Sequence, residues 1–516
     1  MGETFRDSMG WLHTWAGVVL GALLFAIFWM GSLSVFDREI DRWMMPETRL
    51  AASDRPSWIP LLDAARRLAP DAPSWGFVLP NERVPVVRFY FRNSAGDISF
   101  RDFEPRSGAL LPDAGTLAGT RFIFPFHYSL HIRWGDLGYW LVGLTGMAML
   151  ALLVSGVVIH RRIFADFFTF RPGRKLPRSS LDLHNLTGVL ALPFHFVITI
   201  SGLIIFFAIY FPGVIGSVYN GDHAAFKRDA FGSFQREAAG APGSLASLDR
   251  MVTEATRIWG GAPPYLVRVW RPGNDNATVE MRRTLARSVD MNVDIVHFDA
   301  ATGSVLRTHT ASPVVHLQRF IAGLHFIQFE HWTLRWIYFV LGLSGCAMIA
   351  TGYICWLETR RKRHAARGLA GVRIVEGLTV GSVAGIVIAT LSFFVANRLL
   401  PHGASLAGYD RAALEVWIFY LVWLASFAHG WVRPGHAWRE QCWSIAGLAP
   451  LAVVLNAVTT GDHLGRTLTE GAWAIAGMDL MLLAGAGVAA LTAWRLQKRR
   501  PTTTGPSARR TLEAAE

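Results

Sequence analysis

Cysteine is scarce in this chain: among 516 residues there are only Cys346, Cys355 and Cys442, and they form no CxxC pair. Neither a disulfide framework nor a thiolate metal site is therefore indicated. The sequence also lacks a GxGxxG loop after a strand, a P-loop, a nucleophile elbow and an HExxH motif. These absences exclude the common NAD, flavin and ATP modules. Any electrons that the protein moves must come from a quinol or from a separate cytoplasmic donor.

Charge is also limited, since charged residues make up 17% of the chain and hydrophobic residues 52%. This composition indicates an integral protein of the lipid bilayer. The net charge of +12 does not point to a nucleic-acid partner, because the basic residues cluster directly after apolar runs. Such clusters at 161–182, 358–376 and 495–516 mark cytoplasmic segments. The N-terminus and C-terminus are therefore both predicted to be cytoplasmic.

Apolar runs long enough to cross a membrane predict a helical bundle of about eight transmembrane helices. The predicted spans lie at 1–36, 137–160, 183–212 and 336–357, with four more inside 377–494. Two stretches between them, 37–136 and 213–335, are more polar and are predicted to lie outside the cytoplasm. An amphipathic run at 59–68 and an alternating run at 86–91 predict that these stretches are α+β.

The two halves of the chain share motifs that predict a parallel internal repeat of span, soluble domain and span. LHxxxG occurs at Leu12 and again at Leu183, and Leu130-His131 recurs as Leu324-His325. GLTGMAM in the second predicted span resembles GLSGCAM in the fourth. Because each unit contains two spans, the pseudo-two-fold axis would run along the membrane normal.

The repeat gives the histidines a pattern. His13 and His184 begin spans on the cytoplasmic side, and His131 and His325 precede spans on the other side. Facing imidazoles supply both axial ligands of a haem b, so these four are the best candidates for haem-iron ligands, with two haems across the membrane. The plainer alternative is that each is an interfacial anchor or caps a helix end.

Four other histidines are further candidates. His195 lies deep in the third span, eleven residues after His184, a spacing that places both on one face of a straight helix. His195 or His160 could replace a symmetric ligand of the inner haem, or His195 could serve a haem nearer the centre. His127 and His331 could be alternative outer ligands, propionate partners or substrate-facing groups, or merely surface histidines that reach toward water.

These motifs resemble the PepSY-associated transmembrane family, which includes bacterial inner-membrane ferric-siderophore reductases and related iron-uptake proteins. The resemblance rests on the histidine motifs, on IHRRIFADFFTFRP at 159–172, on ALPFHFVITISGL at 191–203 and on two strands of the pattern Fxxx[ST]Gx[VL]L. It covers about residues 1–365, and the last four spans go beyond the family pattern. The family name describes the small α+β units, here 57–111 and 244–306.

The resemblance implies a four-helix core that holds haem b through histidines, and a periplasmic face that reduces ferric chelates. We therefore expect a haem-containing oxidoreductase of the bacterial inner membrane that passes electrons to a ferric siderophore in the periplasm. Two alternatives stay open. The chain could be a non-enzymatic PepSY module that binds or regulates a partner protein, or a transporter of siderophore or metal.

Overall fold

The computed structural model describes residues 4–51, 56–93, 96–160, 171, 176–286 and 288–498, and within these ranges not the side chains of residues 214 and 365. The chain is mostly helical, with a β-sheet at one end of a helical bundle. The helices are α1 (Phe5–Ser34), α2 (Asp37–Met44), α3 (Trp58–Leu68), α4 (Phe124–Ser129), α5 (Leu137–Ile159), α6 (Leu176–Leu190), α7 (Leu192–Ile205), α8 (Phe207–Tyr210), α9 (Gly213–Tyr219), α10 (His223–Phe231), α11 (Leu248–Ile258), α12 (Pro313–Phe326), α13 (Trp332–Ala366), α14 (Gly371–Val380), α15 (Ile386–Leu399), α16 (Arg411–Val432), α17 (Ala437–Thr460), α18 (Leu464–Thr469) and α19 (Trp473–Lys498).

Short helical turns of other types join some of these helices. A π-helical segment, Ala118–Ile123, leads into α4, and another, Gly381–Gly385, joins α14 to α15. A 3₁₀ turn at Pro46–Thr48 follows α2. The strands are β1 (Ser74–Val78), β2 (Val87–Arg92), β3 (Ile98–Phe103), β4 (Pro264–Trp270), β5 (Thr278–Arg283), β6 (Ile295–Asp299), β7 (Val305–His309), β8 (Ser405–Leu406) and β9 (Tyr409–Asp410).

Seven helical segments of the described chain are long and apolar enough to cross a membrane. They are Phe5–Ser34, Leu137–Ile159, Trp332–His364, Gly371–Leu399, Arg411–Val432, Ala437–Thr460 and Trp473–Lys498. The pair α6 and α7 would make an eighth if it counts as one span. The structure thus confirms a multi-pass helical protein with a sheet-containing region. Most of the predicted loop 161–182 and all of the tail after Lys498 lie outside the described residues.

The third predicted span is bent. Its two helices, α6 and α7, meet at Ala191 with an angle of 63°. Pro193 lies in the first turn of α7, where its missing N–H and its ring prevent continuation of the preceding helix. The prediction that His184 and His195 share one face of a straight helix is therefore wrong, because the two residues lie on different helices.

The two α+β stretches form one sheet rather than two separate domains. The strand order is β3-β2-β1-β4-β5-β6-β7, and every neighbouring pair is antiparallel. The first stretch joins the second through β1 and β4, where Gly76 lies opposite Arg268. Helices α3 and α11 cover one face of the sheet and bury a shared apolar core that includes Phe77, Phe89 and Val267.

The helical bundle has two parts that meet along α1. One part consists of α1, α4, α5, α6, α7, α12 and α13, and it carries the histidines described below. The other consists of α14 to α19, in which the span Gly371–Leu399 is the most buried. Buried side chains from both parts, such as Phe25, Phe122 and Phe393, form one apolar core.

Candidate functional site

Two histidines face each other in the half of the bundle that is remote from the sheet. His13 lies on α1 and His184 on α6, and their ring centroids are 6.3 Å apart with an angle of 85° between the planes. We call them the distal pair. The structure therefore brings together the two residues that LHxxxG predicted to be partners.

Hydrogen bonds fix both rings of the distal pair in the same way. Nδ1–H of His13 donates to the carbonyl of Leu152 on α5 (3.0 Å), and Nδ1–H of His184 donates to the carbonyl of Met348 on α13 (2.8 Å). Since a carbonyl only accepts, the proton of each neutral ring resides on Nδ1. In each ring Nε2 is then left as the nitrogen with a free lone pair.

Glycines on the neighbouring helices make room for these rings. A Cβ at Gly156 would lie 3.3 Å from Cε1 of His13, and a Cβ at Gly352 would lie 3.2 Å from Cε1 of His184. Each glycine follows the carbonyl acceptor by four residues, one helical turn. The glycines of LHxxxG have a different role, because Gly17 and Gly188 pack against side chains of α5 and α13.

A second pair of histidines lies in the half of the bundle nearer the sheet. His127 on α4 faces His325 on α12, with their Nε2 atoms 3.4 Å apart and their ring planes inclined by only 26°. We call them the proximal pair. His325 is thus a partner of His127, and the predicted pairing of His325 with His131 is wrong.

The proximal pair repeats the hydrogen bonds of the distal pair. Nδ1–H of His127 donates to the carbonyl of Ile27 on α1 (2.9 Å), and Nδ1–H of His325 donates to the carbonyl of Ile198 on α7 (2.7 Å). A Cβ at Gly31 or at Gly202, again four residues after the acceptor, would come within 2.7 or 2.8 Å of the ring. These two glycines are therefore required for the imidazoles to lie where they do.

A large cavity adjoins the proximal pair. It contains about 1180 Å³ of space free of atoms, including its open mouth, and both His127 and His325 line it. Its wall includes five glycines, and a side chain of the protein lies within 3.2 Å of the Cβ position of each one. These glycines are Gly31, Gly143, Gly146, Gly202 and Gly342. The rest of the wall is mostly apolar and aromatic, with Phe28, Tyr128 and Tyr338 among its members.

The other predicted histidines lie apart from both pairs. The ring of His131 packs against Phe122, at 5.2 Å between centroids, and its backbone has a positive φ of 51°. His331 is exposed, and its Nδ1 accepts a hydrogen bond from the N–H of Leu334 in the first turn of α13. His160 follows the last residue of α5, and in the described chain its buried Nδ1 has no hydrogen-bond partner.

His195 is the most enclosed histidine near the pairs. Its side chain has no solvent exposure, and neither ring nitrogen has a hydrogen-bond partner among the described residues. The ring lies against Phe28, which lines the cavity, and a Cβ at Gly345 would lie 3.2 Å from its Cε1. His195 is one turn before Ile198, the carbonyl acceptor of His325. It therefore lies between the two pairs and belongs to neither.

The residues of both pairs fit axial ligation of a haem. A histidine that binds a metal through Nε2 usually donates its other N–H to a carbonyl or carboxylate, as all four do. Two rings on either side of one metal ion would have centroids about 6 Å apart, since metal–nitrogen bonds are about 2 Å. The distal pair has this separation, and the proximal pair is slightly closer and adjoins a cavity.

A sequence signal for His127 existed in the residues before it. RFIFPFH at Arg121–His127 matches RFIAGLH at Arg319–His325, with the same six-residue interval between arginine and histidine. The shorter match of Leu130-His131 with Leu324-His325 aligns the two halves four residues differently and makes His131 the equivalent of His325. The carbonyl acceptors had no signal, because backbone groups are the same at every position and only the fold selects among them.

The second part of the bundle carries no such histidine pair among its described residues, and its buried polar groups are of another kind. Asp479 on α19 accepts a hydrogen bond from Nε1–H of Trp43 (2.7 Å) and lies 3.5 Å from Nδ2 of Asn456. Nearby, Arg49 pairs with Asp462. These contacts connect the segment after α1 to α17 and α19.

Comparison with known proteins agrees with the resemblance seen in the motifs. Residues 10–359 match the family described as the PepSY-associated TM region. The chain is also similar to an uncharacterized protein of Pseudomonas aeruginosa, with 29% identity over 385 residues, which cover 69% of this chain and 90% of the relative. The matched region contains both histidine pairs and the whole seven-stranded sheet. This chain is a member of the PepSY-associated TM region family.

Proposed function

We propose that this protein is a haem b oxidoreductase of the bacterial inner membrane that reduces ferric siderophores in the periplasm. The observation that supports this most strongly is the two facing histidine pairs, in which every Nδ1 is held by a backbone carbonyl. Such rings are oriented before any metal binds, which favours axial ligation. A haem at each pair would supply one-electron chemistry between Fe(III) and Fe(II).

The spacing of the pairs supports a path across the membrane. His13 and Ile27, the acceptor of His127, lie on the same helix, α1, roughly 20 Å apart at 1.5 Å per residue. The hydrocarbon core is about 30 Å thick. The histidines would hold two redox centres at different depths, with buried apolar side chains such as Leu24 and Met149 between them.

The distribution of charge supports a cytoplasmic distal side. The ends of α13 and α19 that are remote from the sheet carry Arg360, Arg361, Arg363, Arg495 and Lys498. Positive residues concentrate on the cytoplasmic side of a membrane protein. We therefore assign the sheet to the periplasm, with electrons entering from a quinol or a cytoplasmic reductase at the distal pair.

A parallel repeat accounts for the matched contacts of the pairs. His13 and His184 each donate to a carbonyl one turn before a glycine, and His127 and His325 do the same. The two units of the sheet also meet through equivalent strands, β1 and β4. We propose that an axis along the membrane normal relates the two halves, so that each haem would be held by one histidine from each half.

The reaction itself needs no acid or base from the protein. One electron from the proximal site would reduce Fe(III) of the chelate to Fe(II), and the softer Fe(II) binds hard oxygen ligands less tightly. The chain's contribution is to position the redox centres and to bring the chelate to the sheet side of the bundle.

Purified protein tests the proposal directly. A pyridine haemochrome assay should give two haem b per chain, and the reduced-minus-oxidised spectrum should show a b-type α-band. Dithionite-reduced protein mixed anaerobically with ferrioxamine B should reoxidise, and a ferrous-iron trap should report about one Fe(II) per haem oxidised. Absence of the α-band in protein purified from haem-replete cells would refute the proposal. Uptake of intact chelate into vesicles would favour a transporter.

A further inference from the structure

A buried arginine lies next to the proximal cavity. Arg335, in the first turn of α13, is only 2% exposed. Its Nη1 donates to the carbonyl of Val35 (3.2 Å) and its Nη2 to the carbonyl of Phe329 (3.0 Å). No carboxylate of the described residues forms an ion pair with it. Burial of a charge without an ion-pair partner is unfavourable, and an ionisable residue in a membrane-spanning helix is a candidate functional residue.

Arg335 belongs to a cluster of arginines and carboxylates near the end of α1. Arg83 also donates to the carbonyl of Val35 (3.2 Å), and it forms two hydrogen bonds with Glu39 and a longer contact with Asp37. Arg38 donates to the neutral side chain of Gln328 (2.9 Å). Arg38 and Arg83 also experience the charge of Asp41, so three guanidinium groups face three carboxylates. Arg335 is the one whose described hydrogen bonds go only to backbone carbonyls.

The carboxylate of Glu39 is ionised in this cluster. Burial by itself raises the pKa of Glu39, but the hydrogen bonds and the charge of Arg83 more than offset this, and the pKa lies below its ordinary value. Both oxygens of Glu39 are hydrogen-bonded to Arg83, so the charge of Glu39 acts on Arg335 only from a distance and Arg335 donates to carbonyls instead.

The arginine cluster adjoins the cavity next to the proximal pair. Val35, whose carbonyl binds both Arg335 and Arg83, lines the cavity, as do Ser34 and Ile327. A charge in a region of low dielectric acts strongly on a neighbouring charge. Arg335 would therefore stabilise added negative charge inside the cavity.

We propose that Arg335 is a positioning residue that raises the reduction potential of a haem held by His127 and His325, and so draws electrons to the sheet side. This inference rests on the proposed function. A reduced haem carries one more negative charge than an oxidised one, and a buried cation beside it favours the reduced form. Second-sphere charge is one of the means by which a protein sets a haem potential.

Potentiometric titration of the full-length, haem-loaded protein tests the inference. In Arg335→Gln, which keeps a donor for the carbonyls but removes the charge, the reduction equilibrium constant of one haem should fall at least ten-fold, which is 59 mV for one electron. The other haem should be unchanged. Arg335→Lys should keep the wild-type value. Arg411→Gln is the control for loss of a buried arginine bound to carbonyls, because Arg411 lies in the second part of the bundle, where it also pairs with Glu415.

The outcomes separate this inference from the proposed function. If the wild-type protein holds no haem, the proposed function fails first. If the wild-type protein and Arg335→Gln both hold two haems with equal potentials, the charge inference is wrong and the proposed function stands. If Arg335→Gln loses a haem, Arg335→Lys decides: a wild-type potential supports the role of charge, and loss or a lowered potential overturns it.

Discussion

The distal and proximal histidine pairs have the same hydrogen-bonding pattern and differ in how closely their rings are packed. In both, Nδ1 donates to a carbonyl, and a glycine one turn later makes room for the ring. The distal rings are nearly perpendicular with centroids 6.3 Å apart, whereas the proximal rings are close to parallel with centroids 5.8 Å apart. The glycines of the proximal pair are also crowded more closely by the rings. The same hydrogen-bonding pattern thus occurs with loosely packed rings in the distal pair and with tightly packed rings in the proximal pair.

The largest expected effect is the loss of a single haem. His325→Ala should remove one of the two haems and leave the other, because each pair is complete in itself. His184→Ala should remove the other haem. Haemochrome assays and low-temperature α-band spectra of the two variants should be complementary. Loss of both haems in either variant, with the protein still folded, would contradict the independence of the pairs.

Glycine substitutions should distinguish the two settings. Alanine at Gly31 or Gly202 would place a Cβ less than 3 Å from a ring whose Nδ1 is held, so we expect destabilisation of roughly 1–3 kcal/mol and reduced proximal haem content. Alanine at Gly156 or Gly352 would meet the ring at 3.2–3.3 Å. There the gain of about 0.5–1 kcal/mol for alanine over glycine in a helix should offset most of the strain. Thermal unfolding and haem stoichiometry measure both effects.

Removal of the serine hydroxyls should have a smaller effect. Ser155 Oγ lies 3.1 Å from Nδ1 of His13, and Ser201 Oγ lies 3.2 Å from Nδ1 of His325. Because the carbonyl remains as the main acceptor, Ser155→Ala and Ser201→Ala should each change the stability of their own pair by about 0.5–1.5 kcal/mol at most. Haem retention during dilution, compared between the two variants, would measure this change in stability. A complete loss of haem would show that the hydroxyl is indispensable.

The smallest effect is expected at His131. His131→Ala should leave both haems and their spectra unchanged, since the ring packs against Phe122 and does not face His325. It is therefore a control for His127→Ala, which lies one turn away and should remove the proximal haem. If His131→Ala removed a haem and His127→Ala did not, the proximal pair as described would be incorrect.

The sequence was sufficient for the long-range plan of the helices but not for several local features. Apolar runs ending in arginine located the membrane helices, and alternation at 86–91 located β2. The pairing of β1 with β4 joins residues far apart in sequence, and a hydrophobic pattern does not specify the neighbour of an edge strand. Pro193 causes the bend at Ala191. The apolar run around it continues without interruption, so hydropathy alone predicts one straight span.

The choice of His127 over His131 shows the limit for the site. Both histidines lie near the same helix end, and a two-residue match favoured the wrong one. What selects His127 is the hydrogen bond from its Nδ1–H to the carbonyl of Ile27 (2.9 Å), on a helix about a hundred residues earlier. The choice between the two histidines depends on packing between helices, and the spacing of residues within one segment gives no information on that packing.

The antiparallel contact of β1 with β4 has a consequence for how such a chain can be divided. The first unit of the sheet consists of β1–β3 and the second of β4–β7. Each unit alone would expose β1 or β4 as an open edge, and an open edge can pair with another strand. Two copies of one unit could satisfy that edge by the same contact that the two halves make here. The first unit, produced by itself, should therefore assemble as a symmetric dimer. The sheet of the intact chain is in this sense a dimer interface made permanent by a covalent connection.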